Sequence, residues 1–127
     1  MPKQSGKPAQ YAITVDPARL LVTLRLAGFL TPDDVRRIAA EEQAVVKALG
    51  VPSGTHRFLI DARALDAQAA DVIELVQQTT DTVPLKPARL AILARYGLNR
   101  MQTRRMIGER EIGLFDEEDA ALAWLMA

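Results

Sequence analysis

HRFLIDARALD, residues 56–66, decides the fold. The apolar run Phe58-Leu59-Ile60 stands between charged residues, and from about Ala67 the chain takes up helical spacing. A short apolar run leading through a loop into a helix is the sequence form of a central parallel strand, buried on both faces. The expectation is a strand that closes on Asp61, followed by a loop from Asp61 to Ala70. Ligands and partners of open α/β sheets gather where strands leave at their carboxyl ends. Asp61, Arg63 and Asp66 are therefore the first candidate binding residues.

Upstream, YAITV (Tyr11 to Val15) and LLVTLRLA (Leu20 to Ala27) alternate and are rich in β-branched residues. Asp16-Pro17 between them suits a type I turn, so the pair predicts an antiparallel hairpin. Val22, Leu24 and Leu26 share one face of the second strand; Thr23 and Arg25 share the other. Thr31-Pro32-Asp33-Asp34 is a helix start, with Thr31 as cap, Pro32 in the first turn and carboxylates opposing the dipole. That helix runs to about Leu49 and stops at Gly50, with Val35, Ile38, Ala39, Val45, Val46 and Leu49 as its apolar stripe. Glu42 falls inside the stripe. His56 opens the central strand after a Gly- and Pro-containing loop and reads as a solvated or hydrogen-bonded surface residue.

Downstream, a helix is expected from about Ala67 to Thr80, with Ala69, Val72, Ile73 and Val76 inward and Asp71, Glu74, Gln78 and Asp81 outward. RLAILA (Arg89 to Ala94) is a fourth strand, Leu98 to Ile107 a poorly patterned helix, and Ile112 to Phe115 a fifth strand. Asp116 caps a last helix whose Ala121, Leu122 and Leu125 face the core beside Trp124. Residues 1–10 are polar, carry two prolines, and read as a disordered tail before a single domain spanning residues 11–127. A hairpin followed by repeated strand–helix units predicts an α/β domain with a mixed five-stranded sheet and four helices.

Composition removes several classes of function. The 127 residues include no cysteine, so disulfides and thiolate chemistry are excluded, and one histidine, so multi-histidine metal sites are too. Sixteen basic and sixteen acidic residues cancel, which gives no electrostatic footprint for nucleic acid. No apolar run is long enough to span a membrane and no signal peptide is evident, so a cytoplasmic protein is expected. GxGxxG and GxxxxGK[ST] are both absent, and no cofactor is implied.

The element order, the helix opening TPDDV, the central FLIDARAL and above all the tail LFDEEDAALAWL resemble the SpoIIAA-like branch of STAS domains. The resemblance covers about residues 10–127. It implies a β/α superhelix with sequentially ordered strands, related in fold to CRAL-TRIO lipid-transfer domains, and a non-enzymatic regulatory or binding module. Anti-sigma-factor antagonists of this fold carry a phosphorylatable Ser or Thr in the loop after the central strand. Here the segment 61–70, DARALDAQAA, has no hydroxyl. Asp66 lies near that place and supplies permanent, smaller charge.

Asp61 with Asp33-Asp34 evokes a phosphoryl receiver, but the fourth and fifth strands end without the hydroxyl and lysine such a site needs. Arg95, Arg100, Arg104, Arg105 and Arg110 form a basic segment that either docks an anion or acidic partner or is simply solvated. Tyr96, Met101, Met106 and Trp124 either line an apolar pocket or pack as core. Glu42 either escapes to the helix rim or marks a pocket between the first helix and the sheet, with Arg25 or Arg57 as its partner. Two functions follow. The first is a protein–protein regulatory module binding through Asp61–Ala70 (Asp61, Arg63, Asp66) and Arg95–Arg105 (Tyr96, Arg100, Arg104). The second is a small-molecule or lipid-binding domain centred on Glu42 and Tyr96–Met106. Expected partners are an unidentified protein or a second copy of the chain, and a small apolar or anionic ligand, without nucleic acid or membrane insertion.

Overall fold

The computed structural model describes residues 8–95 and 112–127. Five strands form one sheet in the order β1-β2-β3-β4-β5: β1 (Gln10–Asp16), β2 (Leu21–Gly28), β3 (Arg57–Leu65), β4 (Arg89–Leu93) and β5 (Ile112–Phe115). β1 and β2 pair antiparallel and the remaining neighbours parallel, as the hairpin and the strand–helix units predict. The connection within the hairpin is a short 3-10 helix (Pro17–Arg19), where a simple type I turn was expected. Asp16 caps it by accepting from the Arg19 amide. Strand β1 begins at Gln10, and Pro8 bridges Phe29, so residues 8–10 belong to the folded part.

Three α-helices lie among the described residues: α1 (Pro32–Ala48), α2 (Ala70–Thr82) and α3 (Glu118–Met126). The fourth, expected at about Leu98 to Ile107, lies outside the described residues. Helices α1 and α2 cover one sheet face, burying Val22, Leu24, Phe58 and Ile92 against Val35, Ile38, Val46 and Val72. On the other face α3 lays Ala121 and Leu125 over Leu21, Leu59, Ala91 and Leu93. Each central strand is therefore apolar on both sides, which is why its sequence is a run and not an alternation.

Local chemistry sets the ends of these elements. Thr31 and Asp34 form a reciprocal capping box at the start of α1: the Thr31 hydroxyl accepts from the Asp34 amide at 3.2 Å, and the Asp34 carboxylate accepts from the Thr31 amide at 2.9 Å. Thr31→Ala should lower stability by about 1 kcal/mol, measured as a lower urea midpoint with an unchanged slope. An unmoved midpoint would mean that Pro32 and the carboxylates start the helix unaided. At the far end Gly50 turns the chain out of α1 with φ +70°, a conformation that side chains resist. Helix α2 starts three residues later than expected. The last helix takes Glu117, and not Asp116, as its cap residue, without a side-chain capping bond.

Two arginines at the strand starts hold the carbonyl end of α3. Arg57 Nε donates to the Leu125 carbonyl at 3.0 Å and Arg89 Nη1 to the Trp124 carbonyl at 2.6 Å. The Arg89 guanidinium also lies 5.1 Å from the centre of the Trp124 ring, which packs tilted against Phe115. Arg57 and Arg89 are register partners across β3 and β4, so one sheet position carries both donors. Cations at a helix C-terminus offset its dipole and its unpaired carbonyls.

Candidate functional site

Strand β3 does not end at Asp61. It continues through Ala62-Arg63-Ala64-Leu65, paired with β2, after the partnership with β4 stops at Asp61 and Leu93. A register shift opposite Leu26 changes the parity of the strand, so that Ala62 and Leu65 both reach the core. Asp61 and Arg63, two apart, share the face that carries α3.

That geometry closes Asp61 into a charge-balanced network. Its Oδ1 accepts from the Arg63 amide at 3.2 Å and Nε at 3.0 Å, and its Oδ2 accepts from Arg63 Nη2 at 3.0 Å and Arg25 Nη1 at 2.8 Å. Arg25 in turn holds Glu118, at the first position of α3, through two bonds of 3.0 and 3.1 Å. Burial alone would raise the Asp61 carboxyl; hydrogen bonds from Arg63 and Arg25 outweigh it and keep it below the usual carboxylate range. Glu118 is lowered in the same way, chiefly by Arg25. Both carboxylate oxygens of Asp61 are occupied by guanidinium groups, which leaves no free nucleophile and puts positive charge where a receiver would bind its metal. The network ties β2, β3 and α3 together; because its members are partly exposed, each pair contributes at most about 1 kcal/mol.

The segment leaving the sheet is Asp66–Ala69, shorter than the expected Asp61–Ala70. It is held by Gln68, whose side chain is buried. The amide oxygen accepts from the Leu30 N–H at 2.8 Å, and the amide nitrogen donates to the Gly28 carbonyl at 3.1 Å and to the Asp66 carbonyl. The Asp66 amide adds a bond to Gly28 at 3.0 Å, and Arg95 Nη2 donates to the Leu65 carbonyl at 2.6 Å. With its underside fixed, the loop and its flanks present Ala64, Ala67 and Ala70 to solvent. Sequence reasoning missed both Gln68 and Glu118. The signal for Gln68 was available: a single amide amid alanines, in a turn whose backbone groups need partners.

Glu42 lines a cavity of about 110 Å³ between α1, α2 and the sheet. Burial pushes its carboxyl up to about 7, offset in part by a hydrogen bond from Gln43. The cavity between helix and sheet is therefore present, but neither expected arginine reaches it. Arg25 serves Asp61 and Glu118, and Arg57 serves α3 and the Arg19 carbonyl.

His56 departs furthest from expectation. It is fully buried, and neither ring nitrogen has a hydrogen-bond partner among the described residues. Burial lowers its pKa. Tyr96, Arg100 and Arg104, with Met101 and Met106, lie outside the described residues. Among the described residues no cluster of metal-ligating side chains occurs, and no helix is long and apolar enough to cross a membrane.

Neither a protein-family model nor a curated protein matches the sequence. Solved structures do. An uncharacterised DUF3478-family protein with a SpoIIAA-like fold from Shewanella loihica PV-4 matches with a TM-score of 0.72 at 19% identity, over 98% of each chain. An anti-sigma factor antagonist from Mycobacterium paratuberculosis matches with a TM-score of 0.63 at 11% identity, over 94% of this chain and 96% of that one. At such identities the likeness is one of fold, and the chain has the SpoIIAA-like fold with its mixed five-stranded sheet.

Proposed function

We propose that this SpoIIAA-like domain is a non-enzymatic regulatory module that binds another protein, and that the partner rests on the loop between β3 and α2. The observation that carries this is the Gln68 staple, which fixes the loop from beneath and leaves Ala64, Ala67 and Ala70 outward. A surface that is already ordered loses little entropy on binding. Small side chains let a partner approach the backbone closely. The segment offers no hydroxyl to modify, and Asp61 is neutralised by two arginines. Partner binding here is therefore constitutive as far as phosphorylation of this loop is concerned. The likeness in fold to an anti-sigma factor antagonist supports a protein partner, and a second copy of the chain is among the candidates.

Ala67→Glu should abolish capture of the partner from the native cell while leaving the thermal midpoint within about 2 °C. Ala44→Glu, on the exposed side of α1, should leave capture intact. Equal capture by both variants, or turnover of a substrate abolished by Asp61→Asn, would sink the proposal.

A further inference from the structure

The cavity beside Glu42 has a chemistry of its own, away from the loop. Leu24 and Ile60 of the sheet, Ile38 of α1 and Val76 of α2 line it, together with Thr79, Thr80 and Glu42. The lining is apolar apart from the two threonines and the carboxyl. Glu42 forms no ion pair among the described residues, and the arginines on β2 and β3 are committed to the opposite side of the sheet. Gln43, the one group that offsets the Glu42 burial, is neutral, and its amide is shared with two 3.1 Å hydrogen bonds to the Leu85 backbone. A carboxylate kept in such surroundings without a cation is costly, and an apolar residue would close the space at no such cost.

We propose that this cavity binds a small organic cation: a protonated amine on an apolar body about the size of one aromatic ring. The volume of about 110 Å³ is somewhat below the roughly 150 Å³ of an apolar protein cavity that accepts benzene. The cavity is partly open, so a ring can enter with its ammonium directed to Glu42. The ammonium supplies the missing counter-charge while the ring replaces water on the apolar walls. An anionic ligand would meet the Glu42 charge, and a neutral one would desolvate the carboxyl further without compensation. The raised Glu42 pKa agrees with this, because it records how poorly these apolar surroundings accommodate the charge. The inference is independent of the partner-binding loop and is tested by a different assay.

Benzylamine, benzyl alcohol and benzoate are the probes, with binding followed by amide chemical-shift titration. Benzylamine should bind most tightly and benzoate least. Shifts should centre on residues 38–42 and 76–80. Glu42→Gln, which is nearly isosteric, should weaken benzylamine by about ten-fold or more, one ion pair's worth, and leave benzyl alcohol within about two-fold. A second variant, Val76→Phe, should fill the cavity and block the amine with Glu42 still present. Three outcomes would overturn the proposal: no binding of benzylamine, equal binding of the three probes, or benzylamine affinity indifferent to both variants.

Discussion

Gln68→Ala is expected to lower the stability of the domain by about 2–4 kcal/mol. The truncation removes an acceptor from the buried Leu30 N–H and a donor from the Asp66 carbonyl, while the Gly28 carbonyl keeps its bond from the Asp66 amide. A buried donor left without a partner loses the full cost of its desolvation, about 1–3 kcal/mol, and the vacated space adds to it. Gln68→Leu fills the space without repairing the hydrogen bonds, so it should recover less than half of the loss. Urea unfolding of the two variants measures this directly. If Gln68→Leu were as stable as the wild type, packing and not the amide would be what holds the loop. Because the same side chain fixes the proposed partner surface, Gln68→Ala should also lose capture of the partner below its unfolding temperature.

The second large effect concerns His56. Replacing it with leucine removes two buried ring nitrogens that lack partners among the described residues, and should stabilise the domain by about 1–3 kcal/mol at neutral pH. The pH dependence is a sharper test. The folded pKa of His56 lies below its ordinary 6.5, so as pH falls past 6.5 the unfolded chain takes up a proton that the folded one refuses, and stability is lost. Glu42 acts in the opposite sense. Its folded pKa of about 7 exceeds the ordinary 4.5, so stability is lost as pH rises from 4.5 through 7. From 6.5 down to the folded pKa of His56 the two slopes oppose, each being at most about 1.4 kcal/mol per pH unit. In the wild type each offsets part of the other. His56→Leu should therefore tilt the profile so that stability falls with rising pH, and Glu42→Gln should tilt it the other way. Parallel profiles for wild type and His56→Leu would mean that His56 titrates normally in the folded state.

Which parts of this molecule were legible follows from how local their causes are. The Thr31 capping box, the Gly50 stop and the four-residue strand at Ile112–Phe115 depend on neighbours in sequence, and each stands where the residues put it. The exposed row Asp71, Glu74, Gln78 and Asp81 on α2 was readable from spacing alone. The extension of β3 to Leu65 was not, because Asp61, Arg63 and two alanines are poor strand formers. They pair there because β2 continues to Gly28 and supplies a partner. Arg57 stands beside Arg25 as an alternative partner for Glu42 in the sequence because the face of a strand residue near its start is ambiguous; its register partner Arg89 and the carbonyls of α3 decide the matter. His56 misled for a related reason: burial at the foot of a strand depends on what the neighbouring loops cover, and a polar ring in the sequence carries no mark of it. Glu42 was the exception among long-range features, since a charge inside an apolar stripe is visible without coordinates.

The placing of α3 sets when this chain can finish folding. The fully buried residues of the face formed by α1 and α2 all precede Ala94, so its centre can consolidate early. Among the described residues the opposite face is covered by α3, residues 118–126, with Phe115 beside it, and these are made after the central strands they cover. Until then Leu59, Ala91 and Leu93 lack their cover from α3, and Arg57 and Arg89 wait without the carbonyls they will grip. A nascent chain paused before Glu118 is thus half a domain with one greasy side, the stage at which chaperone engagement or aggregation would concentrate.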